Sequence, residues 1–334
     1  MDFTLLAIES SCDETAAAVI KNGKILSNVI ATQSVHQKFG GIVPELASRA
    51  HQQNIVPAVA QALTQANITK FMLNAVAFTK GPGLLGSLLV GVSFAKAFAL
   101  GLNIPLIEVN HMEAHILAHF IDDTKPSFPF LCLTVSGGHT QIVKVTDYLA
   151  MEVIGETQDD AVGEAFDKSA KLLGLPYPGG PLLDKYAQLG NPHAYAFPNV
   201  DTPALNYSFS GIKTAILYFL RDKTKADPAF IEKNLNDICA SIQETLVEIL
   251  LKKLRRAVQE TGIKEVAIAG GVSANSGLRK RLLENAERYG WKTYIPKFEY
   301  CTDNAAMIAM AAAFKYERGL FADQQVSPDP RMAL

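Results

Sequence analysis

The chain has 334 residues, of which 49% are hydrophobic and 19% charged, with a formal net charge of −2. This is the balance of a globular protein, and the length exceeds what one compact core usually holds, so two lobes are expected. A slightly acidic chain does not coat itself in nucleic acid through bulk charge; a partner of that kind must be captured locally.

No uninterrupted apolar run reaches the roughly 18–20 residues that span a bilayer. The stretch 84–102 comes closest, but Ser87, Ser93, Lys96 and three glycines break it. The start, MDFTLLAIESS, has neither a basic leader nor a small-residue cleavage site. Cys12, Cys132, Cys239 and Cys301 lie far apart without a CxxC pair. Neither a zinc ribbon nor a disulfide framework is expected, and a cytoplasmic protein with no membrane partner is.

Leu5–Ile8 reads as a short apolar strand, followed by the polar turn SSCDET and a second strand over Ala16–Ile20. Asn22-Gly23 then signals a tight hairpin into Ile25–Ile30, completing a three-stranded meander. Helical periodicity runs from about Val43 to Ala66, and a buried strand follows at Ala75–Thr79. The turn KGPG leads to a helix over Leu84–Leu100, a strand at Pro105–Val109 and a helix from His111 to Phe120. The same order restarts at Phe128, with strands at Phe130–Val135, Gln141–Val145 and Leu149–Ile154. Helices follow at Asp159–Leu173, Pro181–Leu189 and Leu235–Thr261, with PYPGGP and the polar stretch 190–210 as insertions. The strand Glu265–Ala269, the helix Ser276–Tyr289, the strand Lys292–Ile295 and the helix Asn304–Arg318 close the chain. A plan written twice predicts two related α/β lobes, 1–125 and 126–334, around a ligand cleft.

Three glycine-containing turns each follow an apolar strand: KGPG at 80–83, SGGH at 136–139 and AGGVSAN at 269–275. Without a Cβ, backbone N–H groups can converge on an anion, and the third turn adds a helix N-terminus. None matches GxxxxGK[ST] or GxGxxG, which disfavours P-loop and Rossmann readings. A nucleotide is the ligand class these turns suit.

Of seven histidines, His111, His115 and His119 fall within nine residues. Residues four apart on a helix share one face about 5–6 Å apart, suitable for two imidazoles on one divalent metal. His111/His115 and His115/His119 both satisfy that spacing, and nearness to the strand end favours the first. A zinc peptidase would need HExxH, but the sequence is H-M-E-A-H. Glu113 lies about 200° around the helix from His111 and cannot serve as base. Asp303, just before the last helix, is available as a third ligand, although an Asp there is ordinarily an N-cap.

ESSCDET at 9–15, GPGLLGSLLVG at 81–91, NHMEAH at 110–115, VSGGHTQ at 135–141, DDAVGEAFDK at 159–168, YPGGP at 177–181, FSGIKTA at 209–215, AGGVSAN at 269–275 and TDNAAMIA at 302–309 resemble the bacterial tRNA N6-adenosine threonylcarbamoyltransferases, formerly called O-sialoglycoprotein endopeptidases. The resemblance runs from residue 5 to about residue 318. It implies a duplicated α/β fold of the actin, sugar-kinase and Hsp70-like class, with two lobes around a nucleotide-binding cleft. It implies one divalent metal, Fe2+ ahead of Zn2+, on His111, His115 and Asp303. Adenylate contacts are implied at Thr134, Val135, Ser136, Gly137 and Gly138, and at Asp167, Gly180, Asp184 and Asn275. Asp167 and Asp184 suit ribose hydroxyls; from residue type alone, Asp184 and Asn275 read as caps and Asp167 as a surface charge. The ESSCDET turn corresponds to the first phosphate turn of that fold class, where an acidic residue assists the chemistry; Asp13 is the expected catalytic residue, with Glu14 beside it as the alternative.

The implied reaction moves a threonylcarbamoyl group from threonylcarbamoyl-AMP to the N6 amine of the adenosine 3′ of the anticodon, releasing AMP. The tRNAs concerned read codons that begin with A. The implied partners are tRNA, a paralogous non-catalytic subunit and a small ATPase. A small-molecule kinase of the same fold class is the rival reading, but kinases hold magnesium on carboxylates, and imidazoles suit that ion poorly. A non-catalytic nucleotide-binding scaffold is a second rival. The basic stretches Lys252–Arg256 and Arg279–Arg281 read as solvated helix faces. The end of the tail, DPRMAL, departs from the family pattern without consequence for the chemistry.

Overall fold

A computed structural model describes residues 2–33, 36, 39–198 and 202–334. In chain order the first elements are β1 (Thr4–Glu9), β2 (Thr15–Lys21), β3 (Lys24–Ala31), α1 (Pro44–Gln65), β4 (Ala75–Gly81), α2 (Leu85–Leu102), β5 (Leu106–Asn110) and α3 (His111–Leu117). There follow β6 (Phe130–Val135), β7 (Thr140–Asp147), β8 (Ala150–Glu156), α4 (Val162–Leu172), α5 (Gly179–Ala187), α6 (Ser210–Ala226) and α7 (Phe230–Thr261). Last come β9 (Glu265–Ala269), α8 (Ser276–Tyr289), β10 (Lys292–Tyr294) and α9 (Ala305–Glu317).

The two sheets share one plan. The first has the order β3-β2-β1-β4-β5, the second β8-β7-β6-β9-β10. In each, the first strand runs antiparallel to the second and parallel to the fourth. The duplication read from element order is therefore present strand for strand. Asn22 (φ 50°) and Gly23 (φ 76°) both take the left-handed conformation a two-residue hairpin requires, so Lys21 pairs with Lys24.

The contacts gather into two compact units, one of Met1–Lys125, Asp147–Met151 and Pro296–Leu334, the other of Pro126–Thr146 and Glu152–Ile295. This differs from a cut into 1–125 and 126–334, because the last helix belongs with the first sheet. The alanine-rich α9 is buried over nine successive residues and packs on β1, β2 and β3. Leu6, Ile8, Val76 and Phe78 point the other way, into a core with α1 and α2. A strand covered on both faces is apolar throughout rather than alternating, which is why β1 is wholly buried. By length and composition, α2 is a helix that could cross a membrane; here it buries Leu88, Val92, Ala95 and Ala99.

In the second unit Leu131, Leu133 and Val135 of β6 join a core with α4 to α8. The helix α6 begins on the last residue of the stretch read as the polar insertion 190–210, of which 199–201 lie outside the described residues. Sequence reasoning did not place it. Its buried residues Ile212, Ile216 and Leu220 form a narrow stripe, and its start is capped from afar by Asp159, which accepts from Phe209 N (2.7 Å) and Ser210 Oγ (2.8 Å).

Candidate functional site

Strand β5 delivers the chain directly into α3. The Asn110 side chain caps that helix, accepting from Met112 N (2.8 Å) and Glu113 N (3.2 Å). One turn separates His111 from His115, and their rings stand 4.7 Å apart at 88°. The Nε2 atoms of both point at Asp303 Oδ1, at 3.3 Å and 3.2 Å. Around a tetrahedral ion with bonds of about 2.0–2.1 Å, neighbouring ligand atoms lie about 3.3 Å apart. The three donor atoms all lie within 4.8 Å of one another, a grouping that could converge on one divalent metal, and three protein ligands leave positions for other ligands.

Asp303 is free for this because Asn304, one residue on, caps α9 by accepting from Met307 N (3.0 Å). The default capping role for Asp303 is overturned. His119 is buried on the short 3-10 turn after α3 and lies outside the cluster, so the His115/His119 pairing is not the one assembled. Glu113 faces away and pairs with Lys315 (3.1 Å).

Behind His111 sits Glu9, which is fully buried. Its Oε2 lies 3.1 Å from His111 Nδ1 and accepts from Thr79 Oγ1 (2.5 Å), while Oε1 accepts from Ser11 N (2.5 Å). A carboxylate at Nδ1 puts the proton there and leaves Nε2 free to ligate. Burial raises the Glu9 carboxyl, but the facing His111 outweighs it and holds the group below the usual carboxylate range. Asp303 is likewise held low against burial by the two imidazoles. Burial pulls His111 down, yet Asp303 and Glu9 carry it well above its ordinary value. His115 stays low, chiefly through burial.

The ESSCDET turn is braced by two helices. His51 of α1 bonds Thr15 Oγ1 (2.8 Å) and the Cys12 carbonyl (3.0 Å), which also accepts from Ser87 Oγ of α2 (3.0 Å). Burial, then the charges of Asp303 and Asp13, push the Glu14 carboxyl up to about 9. A side-chain hydrogen bond to Asp13 adds to that rise.

The second unit holds the remaining residues singled out from the sequence. Thr134 and Val135 are buried within β6, paired to Gln141 and Thr140, so Ser136–Gly138 is the part of that stretch open to a ligand. Gly137 and Gly138 are exposed, with open space where a Cβ would stand. Gly270 (φ 87°) could not carry a side chain: its Cβ would lie 2.5 Å from the Val135 carbonyl oxygen. Asp167 Oδ1 accepts from Gly179 N (3.0 Å) and Gly180 N (2.8 Å), and so fixes the start of α5. Asp184 accepts from Ser276 N (3.0 Å) and Ser276 Oγ (2.6 Å), at the start of α8. Asn275 caps α8 through Leu278 N (2.9 Å) and donates to Gln243 Oε1 (2.8 Å). Around Asp167, Gly180, Asp184 and Asn275 this network positions the N-termini of two helices, where anions are stabilised.

A family model described as "tRNA N6-adenosine threonylcarbamoyltransferase" matches residues 24–310. The chain is 68% identical to the protein of that name from Cytophaga hutchinsonii over 334 residues, covering 100% of this chain and 97% of the relative. With the one from Porphyromonas gingivalis it shares 57% identity, covering 100% and 99%. The chain belongs to the tRNA N6-adenosine threonylcarbamoyltransferase family. Among solved structures it is similar to full-length HypF in the phosphate- and nucleotide-bound form (TM-score 0.62, 15% identity, 96% of this chain and 47% of that one). It is also similar to (R)-2-hydroxyglutaryl-CoA dehydratase component A of Acidaminococcus fermentans (TM-score 0.54, 16% identity, 95% and 98%). These are likenesses of fold, and they bear out the actin, sugar-kinase and Hsp70-like class.

Within this family member, two residues that support the His111, His115 and Asp303 cluster and the neighbouring ESSCDET turn escaped the sequence reading. Glu9 and His51 act on groups 102 and 39 residues away, at separations no local pattern records. The KGPG turn is a correction. It is not an open anion turn, because residues 329–332 fill it: a Cβ on Gly81 would stand 1.8 Å from the Asp329 carbonyl oxygen. Lys253, read as part of a solvated basic face, is buried and donates to the Thr202 (2.5 Å) and Ala204 (3.0 Å) carbonyls.

Proposed function

We propose that the chain transfers the threonylcarbamoyl group of threonylcarbamoyl-AMP to the N6 amine of the adenosine 3′ of the anticodon in tRNAs reading codons that begin with A. The observation that carries this is the match of the whole chain to relatives named for that transfer. His111, His115 and Asp303 hold one divalent metal. Two imidazoles and one carboxylate with positions left over suit Fe2+, and Zn2+ is the second choice. When bound, such an ion supplies Lewis-acid stabilisation of the negative charge that develops on the departing AMP.

The chain's own residues supply the rest. Gly137 and Gly138 offer backbone N–H groups to the adenylate phosphate, with open space where side chains would stand, beside Ser136, whose own N–H donates to the His139 carbonyl (2.8 Å). Asp167 and Asp184 accept from the ribose hydroxyls, while Gly180 and Asn275 keep the helix starts in place around them. Asp13, hydrogen-bonded to Glu14, receives the proton that the N6 amine gives up on attack. An anticodon-loop base is already accessible, so little unpairing energy is needed to present it.

The net charge of −2 favours shared capture of tRNA, with a paralogous non-catalytic subunit and a small ATPase as partners in the cytoplasm. The test combines the purified chain, those partners, a synthase making threonylcarbamoyl-AMP and unmodified tRNA. Wild type modifies the adenosine and the His111→Ala, His115→Ala double variant does not. Modification that persists in the double variant defeats the metal assignment.

A further inference from the structure

The helix that presents His111 and His115 has only seven residues. A helix this short has little stability of its own, so its start must be fixed from outside. Asn110 does this with both ends of its amide. Oδ1 accepts from the first helical N–H groups, and Nδ2 donates to the Ala333 carbonyl (2.9 Å) across 223 residues of sequence. The amide is buried, and with both atoms engaged it has one orientation.

Residues before Ala333 are fastened along the same edge. Lys96 Nζ donates to the Val326 carbonyl (2.9 Å), Asp329 N donates to the Lys80 carbonyl (2.8 Å), and Gly83 N donates to the Pro330 carbonyl (3.2 Å). Gly81 lies so close beneath Asp329 that no side chain fits there. It is also the β4 residue paired with Asn110 of β5, at an irregularity in the ladder. Thr79, two residues earlier, holds the Glu9 that orients His111. One segment thus secures both strand ends from which the metal ligand is presented.

We infer that the segment Asp329–Ala333 is a positioning element of the metal centre, holding the Asn110 cap and through it the helix that carries His111. This runs against the expectation that the tail DPRMAL is without consequence for the chemistry. The inference rests on the metal reading of His111, His115 and Asp303. It reaches beyond the ligands to a segment that touches neither substrate nor metal.

The test is a Co2+ titration of three full preparations: wild type, Asn110→Asp, and a chain ending at Pro328. Aspartate caps a helix as well as asparagine does but cannot donate to the Ala333 carbonyl, so it separates capping from fastening. Both variants are expected to bind Co2+ at least about tenfold more weakly, the loss usual for removing an outer support of a ligand. Hydrogen exchange at Met112 and Glu113 should quicken in both. If Asn110→Asp keeps wild-type Co2+ affinity and exchange, the inference fails, whatever the truncated chain does. If wild type binds no Co2+, the metal reading fails and takes this inference with it.

Discussion

Glu9 Oε2 lies 3.1 Å from His111 Nδ1, which joins the end of the first strand to the first residue of α3. Glu9 is wholly buried, and its other bonds go to Ser11 N and Thr79 Oγ1. A carboxylate so placed fixes the tautomer of the imidazole and increases its basicity as a ligand. Glu9→Gln is expected to weaken metal binding about tenfold and Glu9→Ala towards about 100-fold. Competition against a chelator of known affinity measures both. Equal affinity in all three proteins would remove Glu9 from the centre.

Asp303 and Asn304 divide two roles that one residue could not perform together. Asn304→Ala removes the cap of α9 and should cost about 1 kcal/mol of stability, read as a lower denaturant midpoint. Its metal content should stay at the wild-type level. Asp303→Asn should do the reverse, leaving the fold intact while emptying the centre, because an amide replaces the carboxylate shared by both imidazoles. Metal analysis beside a denaturant titration separates the two.

Much of this was legible in the chain because local chemistry decided it. The hairpin at Asn22-Gly23 needs two left-handed residues and has them. The strands β1 and β6 are apolar runs because both faces are covered, and the spacing of His111 and His115 is a property of one helix turn. What was not legible depends on distant partners. The helix α6 begins on a cap supplied by Asp159, about fifty positions away, and exposes Leu217 and Tyr218 beside its buried stripe. KGPG has the composition of an anion turn, and only the tertiary position of residues 329–332 shows it filled. Asp303 looked like a cap because nothing local says that Asn304 takes that place.

Glu14 makes stability depend on pH in a direction opposite to that of most surface carboxylates. Its unfolded value is near 4.5, while burial and the charges of Asp303 and Asp13 keep the folded group protonated up to about 9. Between those values the unfolded state binds fewer protons than the folded one, so stability falls as pH rises. Metal-free wild type should therefore lose thermal stability from pH 5 to pH 9, and Glu14→Gln should flatten that slope and raise the midpoint near pH 8. A bound divalent cation favours the ionised carboxylate, so the difference should shrink on loading. Identical profiles for the two metal-free proteins would place the titration elsewhere.

Asp167 tests whether the second unit binds adenylate through this carboxylate or only through the loop it orders. Its Oδ1 already accepts from Gly179 N and Gly180 N, and burial raises its carboxyl against those two donors. Asp167→Ala strips the partners from both N–H groups and should loosen the start of α5, lowering both stability and AMP affinity. Asp167→Asn keeps an oxygen for the glycines, so the fold should hold. It loses the charge that strengthens a hydrogen bond from a ribose hydroxyl, a difference of about 1.5 kcal/mol or roughly tenfold in affinity. Calorimetric titration with AMP reads that factor directly. An asparagine variant that binds AMP as wild type does confines Asp167 to ordering the turn.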